Sequence, residues 1–204
     1  MDMNNKKHVS LKDLAEELGV SVSTVSRALK DSPEVGEEMR ERVKKLAGEW
    51  NYRPNPFAIS LLKNNPRIIG IIVPDIVTHF YSSIISGISD VARKNHYSVI
   101  ITSSYEQYEL EKQCVEDLMN IRVEGIIACI SQETTDYAHF ESLIMQRVPL
   151  VFFDRVCLHG RCSCVVADNA ESGKAATEHF LHHGAKRIGF IGGANHLDIV
   201  KQRK

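Results

Sequence analysis

The chain has 204 residues, 43% of them hydrophobic, and its 25 Lys and Arg against 26 Asp and Glu give a formal net charge of −1. This length allows one or two domains with sizeable cores, and the charge excludes a protein that binds nucleic acid through a large overall positive charge. No apolar run follows Lys6 and Lys7, and no apolar stretch is long enough to span a membrane. We therefore expect no membrane partner and a cytoplasmic location.

Near its N-terminus the sequence predicts two short helices around a glycine turn. Ser10 is a candidate N-cap, and Asp13 follows at the spacing of a capping box. Gly19 can adopt the left-handed conformation that ends a helix. Ser21 can cap the second helix, whose outer face carries hydroxyls and Arg27. This pattern is typical of a helix-turn-helix, in which the second helix enters the DNA major groove.

Two amphipathic helices around a tight turn also occur in all-α domains that bind no nucleic acid. Here a third predicted helix completes a three-helix unit, with one apolar face made of Met39, Val43, Leu46, Ala47 and Trp50. Up to Lys63, eleven Lys and Arg stand against ten Asp and Glu. The net charge of this segment therefore does not identify a DNA-binding domain. Its Lys and Arg side chains could attract DNA only if they lie together on one face.

A segment rich in Pro and Asn follows, between Arg53 and Pro66. Pro56 suits the first turn of a helix and Pro66 cannot continue one, so at most two helical turns fit between them. Two interpretations stay open. The segment is either a plain linker or a short functional helix, because a linker in water rarely exposes three apolar residues such as Ile59, Leu61 and Leu62.

From Arg67 onward, predicted strands and helices alternate. The first four strands are predicted at Ile68–Val73, Ser98–Thr102, Gly125–Ile130 and Leu150–Phe153. The last two intervening helices are predicted at Gln107–Asn120 and Tyr137–Gln146. Such a βα series predicts an α/β fold with a doubly wound parallel sheet. In a second subdomain we expect strands at Cys164–Ala167 and Arg187–Ile191, with helices at Asn169–His183 and from Asn195 onward.

Polar residues follow the predicted strands, and ligands of open α/β sheets bind outside the carboxyl ends of the strands. Asp75 and Ser104 precede helices, and we expect them to act as caps. Asp154 and Arg155 have no helix directly after them, which favours a binding role. A carboxylate beside a guanidinium suits a ligand rich in hydroxyls.

Other patterns give weaker support for chemistry. The five cysteines are expected to be reduced thiols. One cluster has Cys-x-Cys spacing, a poor match to zinc ribbons, and we expect no metal at Cys157, His159, Cys162 and Cys164. Three histidines near a predicted helix end are expected to interact with the helix dipole instead: His179, His182 and His183. Since no phosphate loop or nucleophile–base pair is evident, we expect no cofactor and no enzyme activity.

Four blocks of sequence keep their order and spacing. They are Ser-Val-Ser-Thr-Val-Ser-Arg-Ala-Leu, Glu-Arg-Val, Asn-Tyr-Arg-Pro-Asn and Ile-Gly-Ile-Ile-Val-Pro-Asp, which begin at Ser21, Glu41, Asn51 and Ile69. From about residue 8 to the end, the chain resembles the lactose-repressor/galactose-repressor (LacI/GalR) family. The resemblance implies a helix-turn-helix DNA-binding domain over residues 1–53 and a hinge helix with its linker over residues 54–66. It further implies a periplasmic-binding-protein-like subdomain over residues 67–154 and part of a second subdomain over residues 155–204.

The resemblance implies a transcriptional regulator, which we expect to be a repressor. Its expected partners are a double-stranded DNA operator, a sugar-like effector and a second copy of the chain. The residues implied to contact DNA are Ser21, Val22, Ser23, Thr24, Ser26, Arg27, Asn55 and Leu61, of which Leu61 wedges into the minor groove. Those implied to contact the effector are Phe80, Tyr81, Asp154 and Arg155. Lys201 lies about where the family places a sugar-contacting arginine.

A family member needs a second subdomain about as large as the first, and the sequence after Arg155 is short for one. We therefore expect a truncated fragment with an incomplete effector cleft and a weakened dimer interface, which binds operator poorly and ignores the effector. Four apolar residues should be left partly exposed: Val165, Val166, Phe190 and Ile191. The alternatives are a constitutive DNA-binding protein, whose operator affinity no sugar would change, and an enzyme.

Overall fold

The computed structural model describes residues 9–52 and 66–204. The chain divides between Asn64 and Asn65 into two compact units, a helical unit and an α/β unit. Nearly all of the predicted hinge segment, from residue 53 to residue 65, lies outside the described residues. Among the described helices, none is both long and apolar enough to cross a membrane.

The helical unit contains α1 (Leu11–Leu18), α2 (Val22–Ala28) and α3 (Glu37–Glu49). The predicted capping box is confirmed at the start of α1. The Ser10 hydroxyl accepts a hydrogen bond from the Asp13 backbone N–H at 3.2 Å, and the Asp13 carboxylate accepts one from the Ser10 N–H at 2.8 Å. Gly19 ends α1 in the left-handed conformation, with φ of 64°, as predicted.

One apolar core joins the three helices. Its buried members are Leu14, Ala15, Val25, Ala28, Val35, Val43 and Ala47. Each fully buried Leu or Val contributes about 1.5–3 kcal/mol, so this core fixes the rotation of α2 about its axis. Because Val25 and Ala28 point inward, the opposite side of α2 faces solvent.

The α/β unit is built on one parallel sheet with strand order β2-β1-β3-β4-β5. The strands are β1 (Ile68–Val73), β2 (Ser98–Ser103), β3 (Gly125–Ala128), β4 (Leu150–Phe153) and β5 (Ser163–Val165). The helices are α4 (His79–Lys94), α5 (Tyr108–Ile121), α6 (Ala138–Met145), α7 (Asn169–His182) and α8 (Asp198–Arg203). The predicted βα series and its parallel sheet are thus confirmed.

The two faces of the sheet carry separate cores. β1 contributes Ile68 and Ile72 to one core and Ile71 and Val73 to the other. Burial on both faces explains its continuous run of Ile and Val. Gly70 in the same strand allows close packing, since an added Cβ would lie 2.6 Å from a methyl carbon of Leu118 on α5.

Of the two strands predicted in the last third of the chain, one forms with other bounds and in another sheet, and one does not form. The strand predicted at Cys164–Ala167 lies at Ser163–Val165 and pairs with β4, so it extends the first sheet and does not belong to a second subdomain. The strand predicted at Arg187–Ile191 is irregular. A strand needs a neighbour that satisfies its backbone groups. The edge of β4 provides one for β5, and the described residues provide none for 187–191.

The exposure predicted for four apolar residues in this region is confirmed. Their exposed fractions range from 51% to 100%, for Val165, Val166, Phe190 and Ile191. In contrast, Leu197, just before α8, is buried in the main core of the sheet. The end of the chain is therefore anchored to the α/β unit through α8 even though much of its apolar surface is accessible.

Candidate nucleic-acid interface and candidate ligand site

The outer face of α2 presents most of the side chains that were expected to contact DNA. Ser21, Val22, Ser23 and Arg27 are exposed, and Thr24 and Ser26 are partly exposed. Val22 is an apolar residue that is 44% exposed. The face therefore offers hydroxyls, one wholly apolar side chain and one guanidinium, a combination that can contact both phosphates and base edges.

Three hydroxyls meet at the start of α2. The Ser21 Oγ lies 2.7 Å from the Ser23 Oγ and 2.8 Å from the Thr24 Oγ1, and it accepts the Thr24 backbone N–H at 3.1 Å. Ser21 thus acts as the predicted N-cap. Because the cap orders its neighbours, the hydroxyl groups are held together on the exposed surface.

Arg27 forms an ion pair that sequence reasoning missed. Its Nε lies 3.2 Å from a carboxylate oxygen of Glu34, in the loop before α3, and both side chains are more than half exposed. Exposed ion pairs contribute about 0–1 kcal/mol, so Arg27 can exchange Glu34 for another acceptor easily. The remaining two residues expected to contact DNA, Asn55 and Leu61, lie outside the described residues.

The candidate ligand site lies at the carboxyl edge of the sheet. The Cys129 thiol, just after β3, lies 3.7 Å from the Tyr81 hydroxyl and 3.9 Å from an Asp154 carboxylate oxygen. Burial raises the pKa of Cys129 to about 12, so this thiol stays protonated. The structure thus brings together Tyr81 and Asp154, two residues predicted to bind the effector.

The predicted aromatic pair has one buried and one accessible member. Phe80 is 47% exposed, whereas Tyr81 is 6% exposed. Their rings meet edge to face with centroids 5.1 Å apart, and Tyr81 packs in the same way against Phe153. Tyr81 is therefore fixed by the core, and Phe80 presents the accessible aromatic ring.

Asp154 occupies an unusual environment. Its backbone has φ of 56°, in the left-handed region that residues other than glycine seldom adopt. Burial raises the pKa of its carboxyl, and the nearby Arg155 and Arg203 oppose that rise. Strained backbone and a desolvated carboxylate are features that cluster at binding sites.

Arg203, in α8, was missed by sequence reasoning, which drew attention to Lys201. The Lys201 ammonium instead lies 3.1 Å from the Asp198 carboxylate. Arg203 is close enough to Asp154 to lower its pKa, and its Nε donates to the Asn169 side-chain oxygen at 2.8 Å. Arg203 is therefore the cation of α8 whose charge acts on Asp154, and the recognisable sequence blocks end too early in the chain to have identified its position.

Arg155 is held by a second missed residue, Glu106. An Arg155 Nη1 donates to the Glu106 Oε2 at 2.7 Å, and the Gln132 backbone N–H donates to the same oxygen at 2.7 Å. Tyr105 and Glu106 both have positive φ, of 50° and 63°. This loop after β2 turns Glu106 toward a partner far away in sequence, and no local spacing could have revealed the pair.

A buried carboxylate supports the loop beside the site. Glu111, in α5, is fully buried. It accepts hydrogen bonds from the Ser131 N–H at 2.5 Å and the Thr134 hydroxyl at 2.8 Å, and lies 2.9 Å from the His139 Nε2. The network connects α5, the loop after β3 and the first turn of α6, so it fixes the surroundings of Gln132.

The two residues expected to act as helix caps behave differently. Asp75 accepts the backbone N–H groups of Val77 and Thr78 in the turn before α4, at 2.8 and 3.0 Å, whereas the N-cap of α4 is Thr78 and no side chain caps the helix, so the predicted cap is wrong. The Ser104 hydroxyl instead lies 2.6 Å from the Ser131 hydroxyl and is buried. It links the ends of neighbouring loops, whereas α5 is preceded by Gln107.

The cysteine and histidine cluster does not assemble as a metal site. In residues 9–52 and 66–204, no group of three or more His, Cys, Asp or Glu could hold a metal ion. The His159 Nε2 lies 2.8 Å from the Asp198 carboxylate. All five cysteines are free thiols, as predicted.

Comparisons with known proteins match both units. The family model "Bacterial regulatory proteins, lacI family" matches residues 10–55, and "Periplasmic binding proteins and sugar binding domain of LacI family" matches residues 67–204. The HTH-type transcriptional regulator MalR of Streptococcus pneumoniae is 34% identical over 200 residues, which are 96% of this chain and 60% of MalR. The ribose operon repressor of Bacillus subtilis is 35% identical over 194 residues, covering 95% of this chain and 57% of the repressor.

Among solved structures, the lac repressor dimer bound to operator and the anti-inducer ONPF superposes with a TM-score of 0.72 and 26% identity, over 97% of this chain and 59% of that chain. The chain thus spans about 60% of the length of the curated relatives it matches.

Proposed function

The chain belongs to the LacI family of bacterial regulatory proteins, and from that premise we propose that it is a sequence-specific DNA-binding transcriptional repressor controlled by a small hydroxylated effector. The observation that carries this proposal is the exposed face of α2, within a helical unit that the family model matches over residues 10–55. We place its action in the cytoplasm, where operator DNA is found.

In this proposal α2 lies in the major groove. Val22, Ser23 and Arg27 face base edges, where Val22 can contact a thymine methyl and Arg27 can bind guanine through two hydrogen bonds. The hydroxyls of Ser21, Thr24 and Ser26 contact phosphates. The hydrogen bond between the Ser21 and Thr24 hydroxyls at the start of α2 supports the assignment of these two residues, because ordered hydroxyls fix the position of the helix on the DNA backbone.

The hinge segment contributes Asn55 and Leu61, and Leu61 wedges between base pairs in the minor groove. An apolar wedge bends DNA, and the larger protein–DNA interface of the bent complex offsets the unstacking of bases. Replacing Leu61 by alanine should lower operator affinity and reduce the bend, while non-specific binding changes little. Gel mobility of operator fragments with permuted ends measures the bend. Equal bending of the DNA by both proteins would indicate that the segment containing Leu61 is a plain linker.

The effector is a sugar or a sugar derivative, bound at the carboxyl edge of the sheet. Asp154 and Arg155 bind its hydroxyls and Phe80 stacks against its ring, an arrangement common in carbohydrate sites. The half-buried Asp154 carboxylate and the accessible Phe80 ring, which packs against Tyr81, support this role. The names of the relatives, which include a ribose operon repressor, also favour a sugar.

The operator complex contains two copies of the chain, by analogy with the lac repressor dimer bound to operator. The alternative is a constitutive DNA-binding protein whose α/β unit responds to no ligand. A regulatory role is favoured over an enzymatic one because the matching family model describes regulatory proteins.

Operator binding in the presence of sugars tests the proposal. Selection from random DNA should return one consensus, and fluorescence anisotropy with that site measures affinity with and without a panel of neutral sugars. If the proposal holds for this chain, one sugar should change operator affinity at least tenfold, the scale of an ordinary allosteric coupling, and the expectation of a fragment that ignores the effector would then be wrong. Operator binding that no sugar alters would favour the constitutive alternative. Failure to enrich any DNA sequence would contradict the proposal that the protein is a sequence-specific regulator.

A further inference from the structure

Each cation at the candidate ligand site is already balanced by an anion. Arg155 is paired with Glu106 at 2.7 Å, and its side chain is only 19% exposed. The positive charge of Arg203 lowers the pKa of the desolvated Asp154 carboxyl, and the Arg203 Nε donates to the Asn169 side-chain oxygen at 2.8 Å. Among the residues that the structure describes, each cation of the site therefore has a carboxylate that offsets its charge.

A phosphate group requires the opposite arrangement. A bound phosphate dianion needs cations or N–H donors whose charge is not already neutralised, and a nearby carboxylate repels it. At this site Arg155 already donates to Glu106, and the Asp154 carboxylate interacts with both Arg155 and Arg203. A sugar hydroxyl has no such requirement, because it can donate to Asp154 and accept from an arginine at the same time.

We propose that Glu106 is a specificity-determining residue which, by neutralising Arg155, makes this site select uncharged polyhydroxylated ligands over their phosphate esters. The inference rests on the proposed function, since it concerns the effector of the same site.

The position of Glu106 suits this role better than that of other acids nearby. Its Oε2 is fixed from two sides, by Arg155 and by the Gln132 N–H, both at 2.7 Å. Glu111 is fully buried and its carboxylate is engaged with Ser131, Thr134 and His139, so it supports the fold. Glu106 is the acid that touches a residue proposed to bind the ligand.

The test compares sugars that differ only by a phosphate. The probes are D-glucose with D-glucose 6-phosphate, D-ribose with D-ribose 5-phosphate, and D-fructose with D-fructose 1-phosphate. Isothermal titration calorimetry of the whole chain gives the affinity for each member of a pair. The variant E106Q removes the charge but keeps an oxygen that can accept from Arg155 and Gln132, so the fold is preserved.

The matched control is E109Q, which makes the same change three residues away. Glu109 is exposed and pairs with Lys112 at 2.9 Å. We expect the wild-type protein to bind the neutral member of at least one pair more tightly than its ester. In E106Q the ratio of the two affinities should move toward the ester by about tenfold, as expected when one nearby negative charge is removed, and in E109Q it should stay unchanged.

Three results would overturn the inference. Tighter binding of an ester by the wild-type protein would show that the cations are not neutralised. A ratio within twofold of wild type in E106Q would show that Glu106 does not set the selectivity, and in that case the neutral sugar still binds and the proposed function stands. Failure of all six probes to bind at millimolar concentration would contradict both the inference and the proposed sugar site.

Discussion

In the helical unit, every described residue of the candidate DNA-binding face comes from α2 and the cap before it. In the α/β unit, the candidate ligand site is assembled from residues as far apart in sequence as Tyr81 and Arg203. The first surface depends on one helix being rotated correctly by Val25 and Ala28. The second depends on several loops being held at one sheet edge, so a change in buried support should affect the ligand site far more than the DNA-binding face.

The largest effect is expected for Glu111→Ala, which removes that buried support. The Ser131 N–H, the Thr134 hydroxyl and the His139 ring would each lose their partner in a buried region. Each unsatisfied buried group lowers stability by about 1–3 kcal/mol. The free energy of unfolding should fall by about 3 kcal/mol or more, measured by urea denaturation. Glu116→Ala, an exposed change on the same helix, is the control. Equal stabilities of the two variants would mean that the network contributes nothing to the fold.

The next effect concerns Asp154→Ala. Losing a charged hydrogen-bond acceptor should weaken binding of the responsive sugar by about 1.5–3 kcal/mol, measured by calorimetry. Burial raises the pKa of the Asp154 carboxyl. On acidification, sugar binding by the wild-type protein should therefore weaken at a higher pH than it would if this aspartate had its ordinary pKa. Asp90→Ala, on the exposed side of α4, should bind normally. Unchanged affinity in Asp154→Ala would place the ligand elsewhere.

A smaller effect is expected for Glu34→Gln in the helical unit. The substitution frees Arg27 from its 3.2 Å ion pair and removes a negative charge near the DNA. Operator affinity should rise by up to about 1 kcal/mol, the range of exposed ion pairs, and the gain should shrink at high salt. Anisotropy titrations at two salt concentrations measure it, with Glu41→Gln on α3 as the matched control. A loss of affinity would show that Glu34 helps to position Arg27.

The smallest effect is expected for Gly36→Ser. Gly36 is the N-cap of α3, it provides no side-chain hydrogen bond, and an added Cβ would meet open space. A serine hydroxyl there can accept a backbone N–H, so the helical unit should gain a few tenths of a kcal/mol. Thermal unfolding followed by circular dichroism detects the change. A lower melting temperature would mean that the glycine is needed for the loop before α3.

The sequence was informative wherever a structure is set by neighbouring residues. The Ser10–Asp13 capping box and the Gly19 helix end are local, and both were predicted correctly. β1 and β4 were predicted with their correct bounds, because an apolar run between turn residues marks a buried strand. Helical periodicity predicted Ser23, Ser26 and Arg27 on the outer face of α2, whereas Val22 and Thr24 were implied by the family resemblance.

It was less informative where partners are distant in the chain. β5 and residues 187–191 have similar apolar character, and only the free edge of β4 decides which one forms a strand. Glu106 was missed because Arg155 lies on another strand end, and Arg203 because the register of α8 lies beyond the recognisable motifs. Assembled sites of this kind require tertiary structure before their residues can be identified.

The central claim, that α2 reads a specific DNA sequence, is tested most directly by selecting binding sites from random DNA with the wild-type protein and with Arg27→Ala. We predict that both proteins return the same consensus except at one position, where the variant accepts several bases, and that the variant binds the wild-type site about 1–3 kcal/mol more weakly. An identical consensus and identical affinity for the two proteins would contradict the claim that α2 is the reading helix.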